Sequence, residues 1–340
     1  MQHLGFPLHT IIIFILFVVA ALFVDLVGHK NDKIMSLKSA SLWSIFWVLV
    51  SVVFGVFLYY EHGGEMAKLF FAGYILEKSL SVDNLFVIMA IFTWFKIPQN
   101  YRHKVLYFGI LGAIVFRLIF VVIGSGLFML GSWIQIIFGL VVLYSAILML
   151  KTNDSDDDEI EDYSNHLAYK FVYKYFSVFP KIVGHSFFIS KNTAQSELNK
   201  NPNLNFLDKK TWLIATPLFL CLCVIEVSDV MFAFDSVPAV IAVSQEPLII
   251  YSAMIFAILG LRAMYFVLEA LKKYLVYLEK SVIVLLFFIG FKIIINALNA
   301  MFDLEFEISS TISLIAIFAI LGLGILASVF VGKKQDISNL

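Results

Sequence analysis

The sequence predicts an all-α, polytopic transmembrane helix bundle of about nine helices, and three observations carry that expectation. Apolar side chains make up 61% of the 340 residues and charged ones only 14%, where a soluble domain carries roughly 25% charged residues. Mean hydropathy is +0.92, and the apolar residues fall in runs near the ~20 that cross a bilayer's hydrocarbon. Lysines and arginines collect in alternate connections between those runs, the pattern of the positive-inside rule. A net charge of -1 points to neither a nucleic acid nor an anionic surface, and the apolar runs make the lipid bilayer the first partner expected, with no nucleic acid.

The first run, roughly 11–27, follows MQHLGFPLHT, which lacks a basic start and a clear small-residue cleavage site, so a retained helix is expected. The second run is roughly 41–60 and the third roughly 67–95, the latter holding Glu77, Lys78 and Asp83. The fourth, roughly 105–123, holds Arg117, and the fifth is roughly 127–150. A long connection, roughly 151–211, opens with an acidic stretch from Asp154 to Asp162. It lacks the central Gly and terminal Glu of an EF-hand and reads as a solvated, mobile cytoplasmic loop. The sixth run, roughly 212–243, carries Glu226, Asp229 and Asp235, with Cys221 and Cys223 as small core residues on different helical faces. The last three, roughly 248–268, 282–300 and 308–331, include Arg262 and Lys292. Residues 1–340 thus read as one integral membrane domain.

Orientation follows from the connections. Lys30, Lys33 and Lys38 follow the first run, Lys96, Arg102 and Lys104 the third, and the lysines from Lys151 to Lys210 the fifth. Lys272, Lys273 and Lys280 follow the seventh, and Lys333 and Lys334 the ninth. The other side holds Lys68 alone, which sets the N-terminus outside and the C-terminus in the cytoplasm. The outer connections are acidic, with Glu61, Glu65, Glu246, Asp303, Glu305 and Glu307. Ordinary solvated loops explain them, although a negative mouth also attracts cations.

Charges inside the runs carry the functional signal. Each isolated one costs at least roughly 2.5–3.5 kcal/mol at the bilayer centre, so the set must be paired, hydrated or turned to a cavity. Helix-to-helix salt bridging accounts for Arg117 and Arg262 equally well. It does not readily account for acids gathered in just two runs. Those runs resemble each other: EKSLSVDNLFV holds Glu77 and Asp83, EVSDVMFAFDSVPAV holds Asp229 and Asp235, and each pair is six residues apart. Each is followed by a helix with one buried arginine, in GILGAIVFRLIF and AILGLRAMYF. With the orientation above, 67–150 and 212–300 form an inverted-topology repeat, the arrangement that puts a substrate site near the midplane. Both runs are long, and Pro238 is expected to break or kink the second beside Asp235, with Ser79 and Ser81 able to rebond freed backbone in the first.

Glu77, Asp83, Asn84, Glu226, Asp229, Asp235 and Ser236 would then offer carboxylate, amide, hydroxyl and carbonyl oxygens. His3, His9, His29, His62, His103, His166 and His185 all lie outside the runs. An all-oxygen set suits manganese, magnesium or calcium and disfavours copper and zinc. Lys78, Arg117, Arg262 and Lys292 would balance surplus charge or serve structure, and some acids would exchange protons. No cofactor is expected.

These residues resemble the TerC/Alx family of bacterial integral membrane proteins. The likeness runs through VDL at 24–26, GYILEKSLSVDNLFV, IPQNYRHKVLYFGILGA, ATPLF, IEVSDVMFAFDSVPAV, FAILGLRAMYF and FIGFK. It implies export of manganese(II) across the bacterial inner membrane, with Glu77, Asp83, Asn84, Glu226, Asp229 and Asp235 as the matching intramembrane positions. The family's name also records tellurium resistance, which the residues do not explain. Many members carry Ser-Asn where this chain has Ala253 and Met254, so any ligand role there is absent or moved. The competing reading is a membrane scaffold for stress response or protein secretion, with 151–211 as its docking surface for protein partners. An enzyme is not expected, since no aspartyl dyad's GxGD-type context and no His-bearing metal site occur.

Overall fold

A computed structural model describes residues 2–3, 6–28, 36–152, 163–200, 206, 213–244, 246–271, 276–302 and 308–338. Lys30, Lys33, the acids from Asp154 to Asp162, Lys209, Lys210, Lys272, Lys273, Asp303, Glu305 and Glu307 lie outside the described residues. A two-stranded hairpin, β1 (Gln2–His3) and β2 (Phe6–Pro7), leads into α1 (Leu8–Gly28). Then come α2 (Leu37–His62), α3 (Gly64–Trp94), α4 (Gln99–Phe128) and α5 (Ser132–Thr152). The Ser36 side chain accepts from the Ser39 N–H to start α2, and Pro98 precedes α4 in extended conformation. Pro217 and Pro247 open α8 (Pro217–Val243) and α9 (Pro247–Ile258), where a missing N–H costs nothing. The chain closes with α10 (Leu261–Leu271), α11 (Val276–Phe302) and α12 (Ser310–Ser338).

Among the described residues, seven helices are long and apolar enough to span a membrane, and the pair α9–α10, bent by 51°, makes an eighth. The remaining expected span, the third, is α3, which has 31 residues but carries Glu77, Lys78 and Asp83 across its middle, which keeps it out of that set. It lies against α2, α8, α9 and α12. The bundle is apolar outside: Leu16, Phe23, Val122, Tyr144, Ile315 and Leu323 are exposed, while α9 is buried almost throughout.

The most extensive packing pairs α5 with α11, α4 with α8 and α3 with α9. The first helix of each candidate repeat therefore lies on the second helix of the other, and the third helices lie on each other. Glycines bring α5 and α11 together: a Cβ at Gly139 would lie 3.1 Å from the Gly290 carbonyl, and one at Gly290 3.2 Å from that of Gly139.

Two expectations are corrected here. First, α3 and α8 are continuous helices, with Pro238 inside α8. Ser79 bonds the Ile75 carbonyl of its own helix, as an i−4 hydroxyl does, and rebonds no broken strand of chain. The break sits instead between α9 and α10, where Gly260 takes φ 78° and a Cβ would strike the buried ring of Trp47. Second, part of 151–211 is a folded unit. It contains a 3₁₀ turn at Tyr163–Asn165, α6 (Leu167–Tyr175), β3 (Ser177–Val178), β4 (Phe188–Ile189) and α7 (Lys191–Lys200), and β5 (Ile214–Ala215), from the start of the sixth expected run, completes it. The strands form one sheet in the order β3-β5-β4, parallel then antiparallel. Phe179, Ile189, Ala194 and Ile214 give it a small core, and Phe188 and Phe176 pack on Phe219 of α8. Its aromatic residues bury enough apolar surface to order a segment that its charges suggested was a loop.

Candidate functional site

Glu77, on α3, is fully buried and ion-paired with Arg117 of α4, itself 1% exposed. The same guanidinium donates from Nη2 to Asp229 Oδ1 of α8 at 3.1 Å. Arg117 therefore joins the two acids that correspond in the two candidate repeats. An arginine stays charged at any depth, so burial this complete requires acceptors, and these carboxylates supply them. One turn before Asp229 on the same helix, the Glu226 carboxylate lies where a Cβ on Gly112 of α4 would be. Among the described residues, Glu77 Oε2, Asp229 Oδ2, Glu226 Oε2 and the Ser81 hydroxyl have no hydrogen-bond partner. Among the described residues, the junction of α3, α4 and α8 thus holds more acceptor oxygens than Arg117 satisfies.

Asp83 and Asp235 sit in α3 and α8, and their side chains lie outside the described residues. Their neighbours Asn84 and Ser236 are buried. Pro238 has no N–H to give the Phe234 carbonyl, so one backbone oxygen beside Asp235 is released even in a continuous helix. Among the described residues, no three His, Cys, Asp or Glu side chains gather as a metal-holding group.

The remaining cations have different surroundings. Arg262 donates to the Asp25 backbone carbonyl at 2.5 Å and lies 3.1 Å from the Asp25 carboxylate, both residues buried. It joins α10 to α1, far in sequence from the Arg117 cluster. Asp25 was missed by sequence reasoning, although it is the sole acid of the first apolar run. Lys78 donates to the carbonyls of Ala257 at 3.0 Å and Leu259 at 3.2 Å. These belong to the end of α9, where a helix leaves carbonyls unsatisfied and negative, so Lys78 caps the broken span. Lys292 is buried on α11. Ala253 and Met254 are buried in apolar clusters and bring no side-chain oxygen.

The helices run beyond the apolar runs, so His9, His62 and His103 fall in their terminal turns. His9 contacts Glu61, His62 contacts Thr10, and His103 stacks on Phe266.

An all-α bundle with an apolar exterior and buried ion pairs defines a multi-pass integral membrane protein. The profile described as "Integral membrane protein TerC family" matches residues 62–336. The chain is 58% identical to "Tellurium resistance protein TerC" of Serratia marcescens, covering 98% of this chain and 97% of the relative. It is 56% identical to the protein of the same name from an Alcaligenes species, over 99% and 98%. It is 34% identical to "Putative membrane-bound redox modulator Alx" of Photorhabdus laumondii, over 93% and 92%. The chain belongs to the TerC family. No solved structure matches it.

Proposed function

We propose that the chain is a secondary transporter that exports manganese(II) from the cytoplasm across the bacterial inner membrane. The observation that carries this reading is the contrast between its two buried arginines. Arg262 meets one acid, Asp25, and that pair is electrically balanced. Arg117 meets Glu77 and Asp229, with Glu226 one turn from Asp229 and acceptor oxygens left over. Structural salt bridging alone gives no reason to bury surplus carboxylates, since each buried charge costs several kcal/mol. A hard divalent cation passing the junction gives one, and Asp83, Asn84, Asp235 and Ser236 would add oxygen ligands. Helix pairing supports the inverted-repeat reading of 67–150 and 212–300, under which the path would run between α3 and α8. The family resemblance favours manganese among the hard cations. Nothing in the set calls for a cofactor or covalent chemistry, and proton exchange at these acids would supply the driving force.

The folded unit formed by the elements from Tyr163 to Lys200 with β5 favours the second reading, a scaffold that docks a protein partner. Cells lacking the protein separate the two. With Asp83→Asn or Asp235→Asn supplied in place of the natural chain, manganese after a manganese load should stay high while membrane abundance is unchanged. Normal export by both variants would move the function to the scaffold.

A further inference from the structure

α6 is LAYKFVYKY, with no acid in it. Ala168 and Val172 are buried, and Tyr169 packs on Trp94 at 5.5 Å between ring centroids and on Phe95 at 6.5 Å. Tyr163, just before the helix, also meets Trp94. That holds α6 where α3 ends, and a tryptophan at a span's end marks the depth of the headgroups. At about 100° per residue, Leu167, Phe171 and Tyr175 form a stripe beside the buried face, and Lys170 and Lys174 follow on its far edge. The stripe residues are 74%, 58% and 54% exposed, and both lysines are exposed.

We propose that α6 is an interfacial anchor. Leu167, Phe171 and Tyr175 enter the membrane surface beside the end of α3, and Lys170 and Lys174 hold anionic lipid headgroups. Two arguments favour lipid over a protein partner. The aromatic contacts hold the helix beside Trp94, a residue type that sits at headgroup depth, and an acid-free helix with two lysines matches the charge of an anionic leaflet.

The test uses the full chain with Cys221→Ala and Cys223→Ala, carrying a spin label at Phe171→Cys or Tyr173→Cys. It is reconstituted in phosphatidylcholine vesicles with or without phosphatidylglycerol. With phosphatidylglycerol, a label at 171 should be reached by oxygen and shielded from an aqueous nickel chelate, and a label at 173 should behave oppositely. Adding Lys170→Gln and Lys174→Gln should lower the shielded-to-exposed ratio at 171 roughly 30-fold in the anionic vesicles, the weight of two basic side chains at such a surface, and leave it unchanged in pure phosphatidylcholine. If 171 is as open to the chelate as 173 in anionic vesicles, the anchor is refuted and the face is left to solvent or a protein. Should Phe171→Cys fail to elute as a folded species, Tyr175→Cys on the same stripe takes its place with the same two outcomes.

Discussion

Arg117 holds together carboxylates that would otherwise repel in a low-dielectric interior. Removing a single member of such a group leaves an uncompensated buried charge, which costs about 3–5 kcal/mol. Arg117→Met should therefore lower stability by about that much, read as thermal unfolding of the purified protein in detergent. Adding Glu77→Gln and Asp229→Asn to the same chain should recover most of the loss, because the two carboxylates that Arg117 pairs with are then uncharged. An Arg117→Met protein as stable as the natural one would mean that Glu77 and Asp229 are neutral without it. These residues were legible in sequence as charges inside apolar runs. Their partners were not: Glu77, Arg117 and Asp229 come from three different helices, and Asp25 went unnoticed until Arg262 was found on it.

Helix breaks were legible in kind and misplaced in position. Proline forfeits one backbone bond, and a packed helix such as α8 runs through that loss. Gly260 reaches a positive φ that other residues rarely adopt, and there the span turns by 51°. Lys78 satisfies the carbonyls released at that turn, so a lysine that read as charge balance for a metal site serves as a helix cap. Gly260→Ala should cost roughly 2–4 kcal/mol, combining left-handed backbone strain with a methyl pressed on buried Trp47. Thermal unfolding checks this, and a loss confined to a few tenths of a kcal/mol would show the turn to be pliant.

Across the whole molecule, two ends can be distinguished by their contacts. The N-terminal hairpin and the end of α2 meet through Phe6, His9, Thr10, Glu61 and His62. The folded unit closes the other end, where Lys104 donates to the His185 carbonyl and lies over Phe187. The lysine asymmetry predicts that the first end is external and the second cytoplasmic. A reporter fused after residue 190 should score as cytoplasmic, and one inserted at Gly63 as external; the reverse pair of results would invert the direction proposed for transport.

Composition and spacing by themselves determined the membrane class, the helical runs and the intramembrane charges, while the family rested on the resemblance of whole motifs. The first three are local properties, since the cost of exposing an apolar run or burying a carboxylate is set largely by the residues concerned and the solvent around them. Only the tertiary structure decided that Arg117 serves Glu77 and Asp229 while Arg262 serves Asp25, that the broken span is α9–α10, and that part of the long connection folds. Each of those outcomes rests on contacts between residues far apart in the chain. Periodicity along one helix does not encode which neighbour its charged face will meet.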